Sequence, residues 1–177
     1  MYRLYHHPLE PFCRLLRLLL AEKELPAEFI AENPWERREE FLALTPAGDV
    51  PVLVVVEEGR ELVLAETYAI VEYLMETQPR PDLLGQAPEA RAEVRRLAGW
   101  FGRKFYDEVT RCLVTEKAFK RLSGQGGPDS TMLRAGYHNI HYHLDYISYL
   151  TERRSWLAGA SLTLADLAAA AQLSAGG

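Results

Sequence analysis

The sequence predicts an α/β domain followed by an all-helical domain. In the first 78 residues, short apolar runs typical of strands alternate with segments of helical periodicity. A stretch rich in Pro and Gly follows at 79–87, and the rest of the 177-residue chain is largely helix-periodic. We therefore expect an N-terminal domain over residues 1–78, a linker over 79–87 and a helical domain over 88–177.

The first half of the N-terminal domain is predicted as strand, helix, strand, helix. "YRLY" at 2–5 favours a strand, and Pro8 and Pro11 interrupt regular structure after it. The apolar positions from Phe12 to about Lys23 cover one broad helical face, and Pro11 suits the first turn of that helix. "AEFIAE" then predicts a second strand, and "WERREEFLAL" predicts a short helix.

The second half of this domain is predicted as a hairpin followed by a helix. "PVLVVV" and "ELVLAE" are apolar strands, and "EEGR" joins them because Gly59 tolerates a positive φ. "TYAIVEYLMET" places apolar side chains on one helical face. The resulting order, β-α-β-α-β-β-α, describes a small mixed sheet with one parallel crossover and one hairpin, covered by helices.

Beyond the linker, residues 88–122 and 129–154 have helical periodicity, and the loop-like composition of "SGQGGPDS" separates them. In "ASLTLADLAAAA", Thr163 and Asp166 match a capping box, in which the side chains and backbones of the two residues bond reciprocally. We expect another helix to begin there, with its alanines packed inside a bundle.

The composition excludes several classes of function. The formal net charge of −5 gives a polyanion nothing to gain from counterion release, so nucleic acid is not expected as a partner. The longest apolar runs fall well short of the roughly 20 residues that a membrane span needs. Cys13 and Cys112 lie far apart and in no metal-type spacing, which predicts neither a disulfide nor a metal site. We expect a cytoplasmic protein that binds no membrane and no metal.

The motifs "VPVL" and "AETYAIVEYL", a Pro-rich linker and "WLAGASLTLADLAAAA", in this order, resemble the glutathione S-transferase superfamily over essentially the whole chain. The resemblance implies a thioredoxin-like N-terminal domain, a C-terminal helical bundle, a homodimer and further helices after Gly177. It also implies that Pro51 is cis and that the backbone of Val50 pairs with the cysteinyl part of glutathione. Glu66 and Thr67 would bind the γ-glutamyl end.

Glu66 and Thr67 also have a purely structural interpretation, since either residue can cap the helix that follows. A helix N-terminus offers unpaired N–H groups to a carboxylate, and Thr67 can add a hydroxyl. Glu66 can accept a ligand's ammonium group. Both interpretations fit the sequence.

Glu10, in "HHPLEPFCRLLRLLLAEK", stands where the resemblance places a catalytic hydroxyl or thiol. In the family that group lies at the N-terminus of the first helix and bonds to the glutathione sulfur. Thiol activation requires a lowered pKa of the sulfur, and an ionised carboxylate would raise it. We therefore assign no catalytic residue. We interpret Cys13 as a buried helix residue, and His6 and His7 as strand-end or surface residues, ahead of a role as replacement nucleophile or base.

Within the superfamily, "YHHPLEP", "NPWERREEFLALTPAGDVPVL", "GGPDSTMLRAGYHNIHYHLDYISYL" and "RRSWLAGASLTLADLAAAAQLS" resemble a bacterial cell-division branch. Its members share the fold, bind filaments of the tubulin homologue FtsZ and are not regarded as glutathione-dependent enzymes. The resemblance implies a non-catalytic FtsZ binder without a cofactor, located at the division site, with glutathione as a vestigial ligand. The alternative is a glutathione S-transferase that conjugates glutathione to electrophiles and activates its thiol with a group other than Glu10.

Two further segments carry candidate residues. Trp35, in a charged segment, is a candidate partner anchor because Trp and Arg are enriched at interaction hot spots; the alternative is a Trp folded back on the domain edge. "YHNIHYHLDY" places His138, His141 and Asp145 on one helical face and His143 on another. We interpret these residues as part of a packed helix and not as a metal site.

Overall fold

The computed structural model describes residues 1–175, which divide into two compact units with their boundary between Pro81 and Asp82. The first unit is α/β and the second is helical, which confirms the predicted fold class. The elements of the first unit are β1 (Tyr2–His6), α1 (Pro11–Glu22), β2 (Ala27–Ala31), a 3-10 turn (Pro34–Glu36), α2 (Glu39–Leu44), β3 (Val52–Glu57), β4 (Arg60–Ala65) and α3 (Thr67–Thr77).

The sheet of the first unit has the strand order β2-β1-β3-β4. β1 and β2 are parallel, as expected for a crossover through α1, whereas β3 is antiparallel to both β1 and β4. Glu58 and Gly59 turn the hairpin with φ of 49° and 77°. Positive φ at both central residues is typical of the type I′ turn, whose twist matches that of the flanking strands.

The core of the first unit lies where α1 and α3 contact each other beside the sheet. Apolar side chains at helical spacing on both helices are inaccessible to water, as are alternate positions of β1 and the first four residues of β3. The innermost of these residues are Leu4, Leu16, Leu19, Leu20, Leu53, Ile70 and Leu74.

The predicted helix over "WERREEFLAL" is wrong in its first half. Arg37 has a φ of 48°, a left-handed conformation that ends the 3-10 turn, so α2 begins only at Glu39. The break lets Arg38 turn towards the buried carboxylate of Glu32, where Nη2 lies 2.5 Å from Oε2. This ion pair ties the end of β2 to the start of α2.

The second unit consists of α4 (Pro88–Gly99), a π-helical segment (Trp100–Phe119), α5 (Lys120–Leu122), α6 (Ser130–Thr151) and α7 (Leu164–Leu173). The first three form one continuous helix, as the periodicity over 88–122 predicts. Its middle is wider than an α-helix, and at its end the N–H of Lys120 donates to the carbonyl of Thr115. α6 ends at Thr151, slightly before the predicted position 154.

Candidate functional site

The loops that the sequence singles out lie at one edge of the sheet. Val52, the first residue of β3, pairs with Tyr5 near the end of β1 and with Ala65 at the end of β4. The loop after β1, the residues before β3 and the residues after β4 therefore share this edge, which we call the site edge. They carry Glu10, the Val50–Pro51 pair and the Glu66–Thr67 pair, respectively.

The Val50–Pro51 peptide bond is cis. Pro51 is buried and Val50 is half-buried, directly before β3. This is the conformation that the resemblance implies for Pro51, and it places the backbone of Val50 in the loop at the site edge. A second cis bond joins Arg80 and Pro81, at the end of the first unit.

Glu66 caps α3. Its Oε2 accepts hydrogen bonds from the backbone N–H groups of Tyr68 at 3.0 Å and Ala69 at 3.1 Å. Its φ of 76° lies in the left-handed region, which is costly for a residue with a side chain and is enriched at functional sites. Glu66 is exposed and Thr67 is buried. Glu66 therefore has the structural role of a helix cap, and its exposed carboxylate remains accessible to a cationic ligand group.

Glu10 precedes the first turn of α1. Its backbone N–H donates to the carbonyl of His7 at 3.1 Å, and its own carbonyl accepts from the N–H of Arg14 at 3.0 Å. The carboxyl oxygen Oε1 is buried without a hydrogen-bond partner among residues 1–175. Burial raises the pKa of the Glu10 carboxyl to about 7, the negative charge of Asp49 adds to the shift, and the backbone N–H of Phe12 opposes it.

This environment changes the chemistry expected of Glu10. An exposed glutamate is ionised at neutral pH, whereas a carboxyl with a pKa of about 7 is about half neutral at pH 7. The ionised form repels a thiolate and raises the thiol's pKa. The neutral form can donate a hydrogen bond, as a hydroxyl does. The group at this position therefore changes from donor to repulsive charge as the pH rises through neutrality.

The neighbours of Glu10 do not supply a ready nucleophile. The Cys13 thiol is fully buried and accepts from the backbone N–H of His7 at 3.4 Å, and burial raises its pKa to about 12. A thiol with that pKa is protonated at neutral pH. His6 is at the end of β1 as expected, but both His6 and His7 are buried, so their interpretation as surface residues is wrong. Burial lowers the pKa of both imidazoles, which favours their neutral forms.

Trp35 lies in the 3-10 turn after β2, whose last residue pairs with His6. The Trp35 ring is half-buried and meets the ring of His7 edge-on, with 5.2 Å between centroids. It thus both packs on the domain and presents part of its surface at the site edge. Asp49, whose charge acts on Glu10, is not among the residues predicted from the sequence. Its position directly before the Val50–Pro51 pair is the sequence signal that could have identified it.

The second unit contains the expected capping box at the start of α7. The Asp166 Oδ2 accepts from the backbone N–H of Thr163 at 2.9 Å and from its hydroxyl at 2.8 Å. The sequence did not indicate a third bond, from the backbone N–H of Leu157 to the Asp166 Oδ1 at 2.8 Å. These bonds hold the preceding loop on the helix start and are structural.

The His-rich segment of α6 divides as predicted. His138, His141 and Asp145 are exposed on one face, and His143 is buried on the other. The indole N–H of Trp100 donates to His143 Nδ1 at 3.1 Å, so the proton is on Nε2, which lies 3.0 Å from the Glu108 carboxylate. Within residues 1–175, no group of three His, Cys, Asp or Glu side chains is placed to hold a metal ion. None of the helices in that range is long and apolar enough to span a membrane.

Comparison with known proteins gives a consistent picture. The model of the glutathione S-transferase N-terminal domain matches residues 4–82. FtsZ-localized protein A of Caulobacter vibrioides is 48% identical over 171 residues, which are 97% of this chain and 75% of that protein.

Two solved structures are also similar. A glutathione S-transferase from Rhodospirillum rubrum F11 has 53% identity and a TM-score of 0.94, with 99% of this chain and 78% of that chain covered. FzlA from C. crescentus has 48% identity and a TM-score of 0.95, with 98% and 77% covered.

Proposed function

The chain belongs to the glutathione S-transferase family, and from that premise we propose that it is a non-catalytic member that binds FtsZ filaments in bacterial cell division. The observation that carries the proposal is the 48% identity to FtsZ-localized protein A over 97% of the chain. We further propose a cytoplasmic homodimer without a cofactor, located at the division site when bound to FtsZ.

The site edge supports the non-catalytic part of the proposal. The position of the catalytic hydroxyl or thiol is occupied by Glu10, whose ionised form opposes formation of a thiolate. Cys13 does not replace it, because its thiol is buried and protonated. Burial lowers the pKa of His6 and His7 and so favours their neutral forms, which add no positive charge to stabilise a thiolate. Function in such a fold follows the site and not the fold itself.

The alternative function is a glutathione S-transferase. It is favoured by the retained Val50–Pro51 and Glu66–Thr67 pairs at the same edge and by the neutral form of Glu10, which can donate a hydrogen bond to a thiol. In that case glutathione is a substrate. In the favoured case it is a vestigial ligand or does not bind.

Co-sedimentation with FtsZ and conjugation of glutathione separate the two functions. We expect the chain to co-sediment with purified FtsZ assembled with GTP, and to show no conjugation of glutathione to a chlorodinitrobenzene-type electrophile above the uncatalysed rate. Calorimetry with glutathione supplies an independent measure of the retained ligand site. Conjugation with no co-sedimentation would support the enzyme in place of the FtsZ binder, and the absence of co-sedimentation, conjugation and glutathione heat would overturn both.

Trp35 is proposed as a partner-binding residue. We expect Trp35→Ala to weaken co-sedimentation with FtsZ about 10-fold or more, because a partly exposed indole at an interface commonly contributes 1–2 kcal/mol or more. Trp156→Ala, at an exposed Trp of the second unit, is the matched control and should leave binding unchanged. Circular dichroism checks that both variants fold. Equal binding by both variants and the parent chain would remove Trp35 from the proposed surface.

A further inference from the structure

Two arginines of α1 and the last residue of β1 lie close together. The Nη2 atoms of Arg14 and Arg17 both approach the carbonyl oxygen of Pro8, each at 3.4 Å. Burial lowers the pKa of the His6 imidazole, and the nearby positive charge of Arg17 lowers it further. Two guanidinium groups and an imidazole therefore meet between β1 and α1. We call Arg14, Arg17 and His6 the basic cluster.

The basic cluster has no acidic partner. In residues 1–175 neither Arg14 nor Arg17 forms an ion pair, although the chain carries 25 acidic residues against 20 lysines and arginines. Glu10 stands four residues before Arg14, a spacing that pairs opposite charges on a helix, but in those residues its carboxyl forms no such pair and is affected instead by the charge of Asp49.

The two arginines repel each other. Arg14 and Arg17 are three residues apart, so their like charges are neighbours on the surface of α1. Burial lowers the pKa of Arg14, and the positive charge of Arg17 lowers it further. A bound anion would relieve this repulsion, because it would place a negative charge beside both guanidinium groups.

Several donors of the basic cluster are unsatisfied. Nε of Arg17 and Nδ1 of His6 are buried and have no hydrogen-bond partner among residues 1–175. His6 is only 8% exposed. The two bonds to the Pro8 carbonyl share one acceptor and are longer than the usual length of about 2.9 Å. Buried polar groups with a purely structural role normally have partners, so these donors point to an acceptor from outside the chain.

An exposed aromatic ring borders the basic cluster. Phe29 of β2 meets the His6 ring edge-on, with 5.7 Å between centroids, and is 50% exposed. β2 and β3 lie on opposite sides of β1 in the sheet, so this contact places His6 on the β2 side, whereas the Val50–Pro51 pair adjoins β3. The basic cluster is therefore separate from the residues that the resemblance assigns to glutathione.

We propose that the basic cluster binds a phosphate group, held by the guanidinium groups of Arg14 and Arg17 and by the imidazole of His6. A guanidinium presents its N–H donors in a planar fork that matches the oxygens of a phosphate. Phosphate has enough oxygens to accept from three groups at once, whereas a carboxylate has only two oxygens. The phosphate is either free or esterified, and the exposed ring of Phe29 offers a packing surface to an aromatic ester group. This site is additional to FtsZ binding and does not depend on it.

Calorimetry with inorganic phosphate and with phenyl phosphate tests the site. Ionic strength is held constant, since added salt screens the arginine charges. We expect saturable binding of the probes, with shifts of the Arg17 Nε–H and His6 ring signals in NMR spectra. Arg14→Gln and Arg17→Gln should each raise the dissociation constant about 10-fold or more, because each removes charge-assisted hydrogen bonds. Arg103→Gln removes an exposed charge of the second unit and is the matched control, with an unchanged constant.

The two probes distinguish the sources of the phosphate. Tighter binding of phenyl phosphate than of inorganic phosphate, with the difference lost in Phe29→Ala, would identify an aromatic phosphate ester as the ligand. Equal binding would identify free phosphate.

Three results would overturn the site. They are the absence of saturable binding of both probes, unchanged binding by both glutamine variants of the basic cluster, and equal weakening by Arg103→Gln. Circular dichroism checks that each variant folds. If Arg17→Gln does not fold, Arg17→Lys replaces it, since lysine keeps the charge but lacks the fork and should still weaken binding.

Discussion

Asp166→Ala is expected to lower the free energy of unfolding by about 3 kcal/mol. The substitution removes the acceptor of three hydrogen bonds, from the backbone N–H groups of Leu157 and Thr163 and from the hydroxyl of Thr163. Thr163 is buried, so its freed donors do not regain water in the folded chain. Hydrogen bonds to a charged acceptor contribute about 1.5–3 kcal/mol each and are not additive, which gives the expected total. Urea denaturation followed by circular dichroism measures the loss.

Two further variants define the source of this effect. Asp166→Asn keeps one acceptor oxygen and should lose clearly less stability than the alanine variant. Asp107→Ala is the matched control, because Asp107 is exposed and its carboxylate forms an ion pair at 3.5 Å with Arg111 one turn along the helix. That change should stay within about 0.5 kcal/mol of the parent. Equal losses of stability for Asp107→Ala and Asp166→Ala would show that the bonds at the start of α7 contribute no more to stability than an exposed ion pair.

The fold follows from patterns that the sequence carries locally. Short apolar runs predict β3 and β4, Gly59 predicts their turn, and the helical spacing from Pro11 onwards predicts α1 close to its observed end at Glu22. The exception is the start of α2. Arg37 adopts a left-handed φ that its residue type does not favour, and the bond of Arg38 to the buried Glu32 accompanies that break. A contact of this kind is invisible to periodicity.

The candidate site is likewise predictable only in part from the sequence. The position of Glu10 before the first helix and that of Glu66 before α3 follow from the resemblance, and the strand register brings both to one edge of the sheet. The environment of these residues does not follow from the sequence or from the resemblance. His7 is buried beside Trp35, and Glu10 feels the charge of Asp49, although neither neighbour is adjacent in sequence. Burial by residues distant along the chain sets the ionisation of the site, so it emerges only once the chain is folded.

Glu10→Gln is expected to raise the free energy of unfolding by about 3 kcal/mol at about pH 8. Burial lifts the pKa of Glu10 from its ordinary value of 4.5 to about 7 in the folded chain. Between these two values the folded state holds a proton that the unfolded state has released, so the stability of the parent chain falls as the pH rises through this window. Each pKa unit corresponds to about 1.4 kcal/mol. Glutamine has nearly the same shape and no charge, so the variant avoids this loss.

The pH dependence distinguishes ionisation from packing. The stability gained by Glu10→Gln should shrink from about 3 kcal/mol at about pH 8 to about 1 kcal/mol at about pH 5.5, because the parent carboxyl is by then almost fully protonated in the folded state. Glu76→Gln, at an exposed glutamate of α3, is the matched control and should show a small difference at both pH values. A gain that is the same at both pH values would mean that Glu10 does not titrate near neutrality. The pH-dependent change from donor to repulsive charge at the site edge would then be wrong.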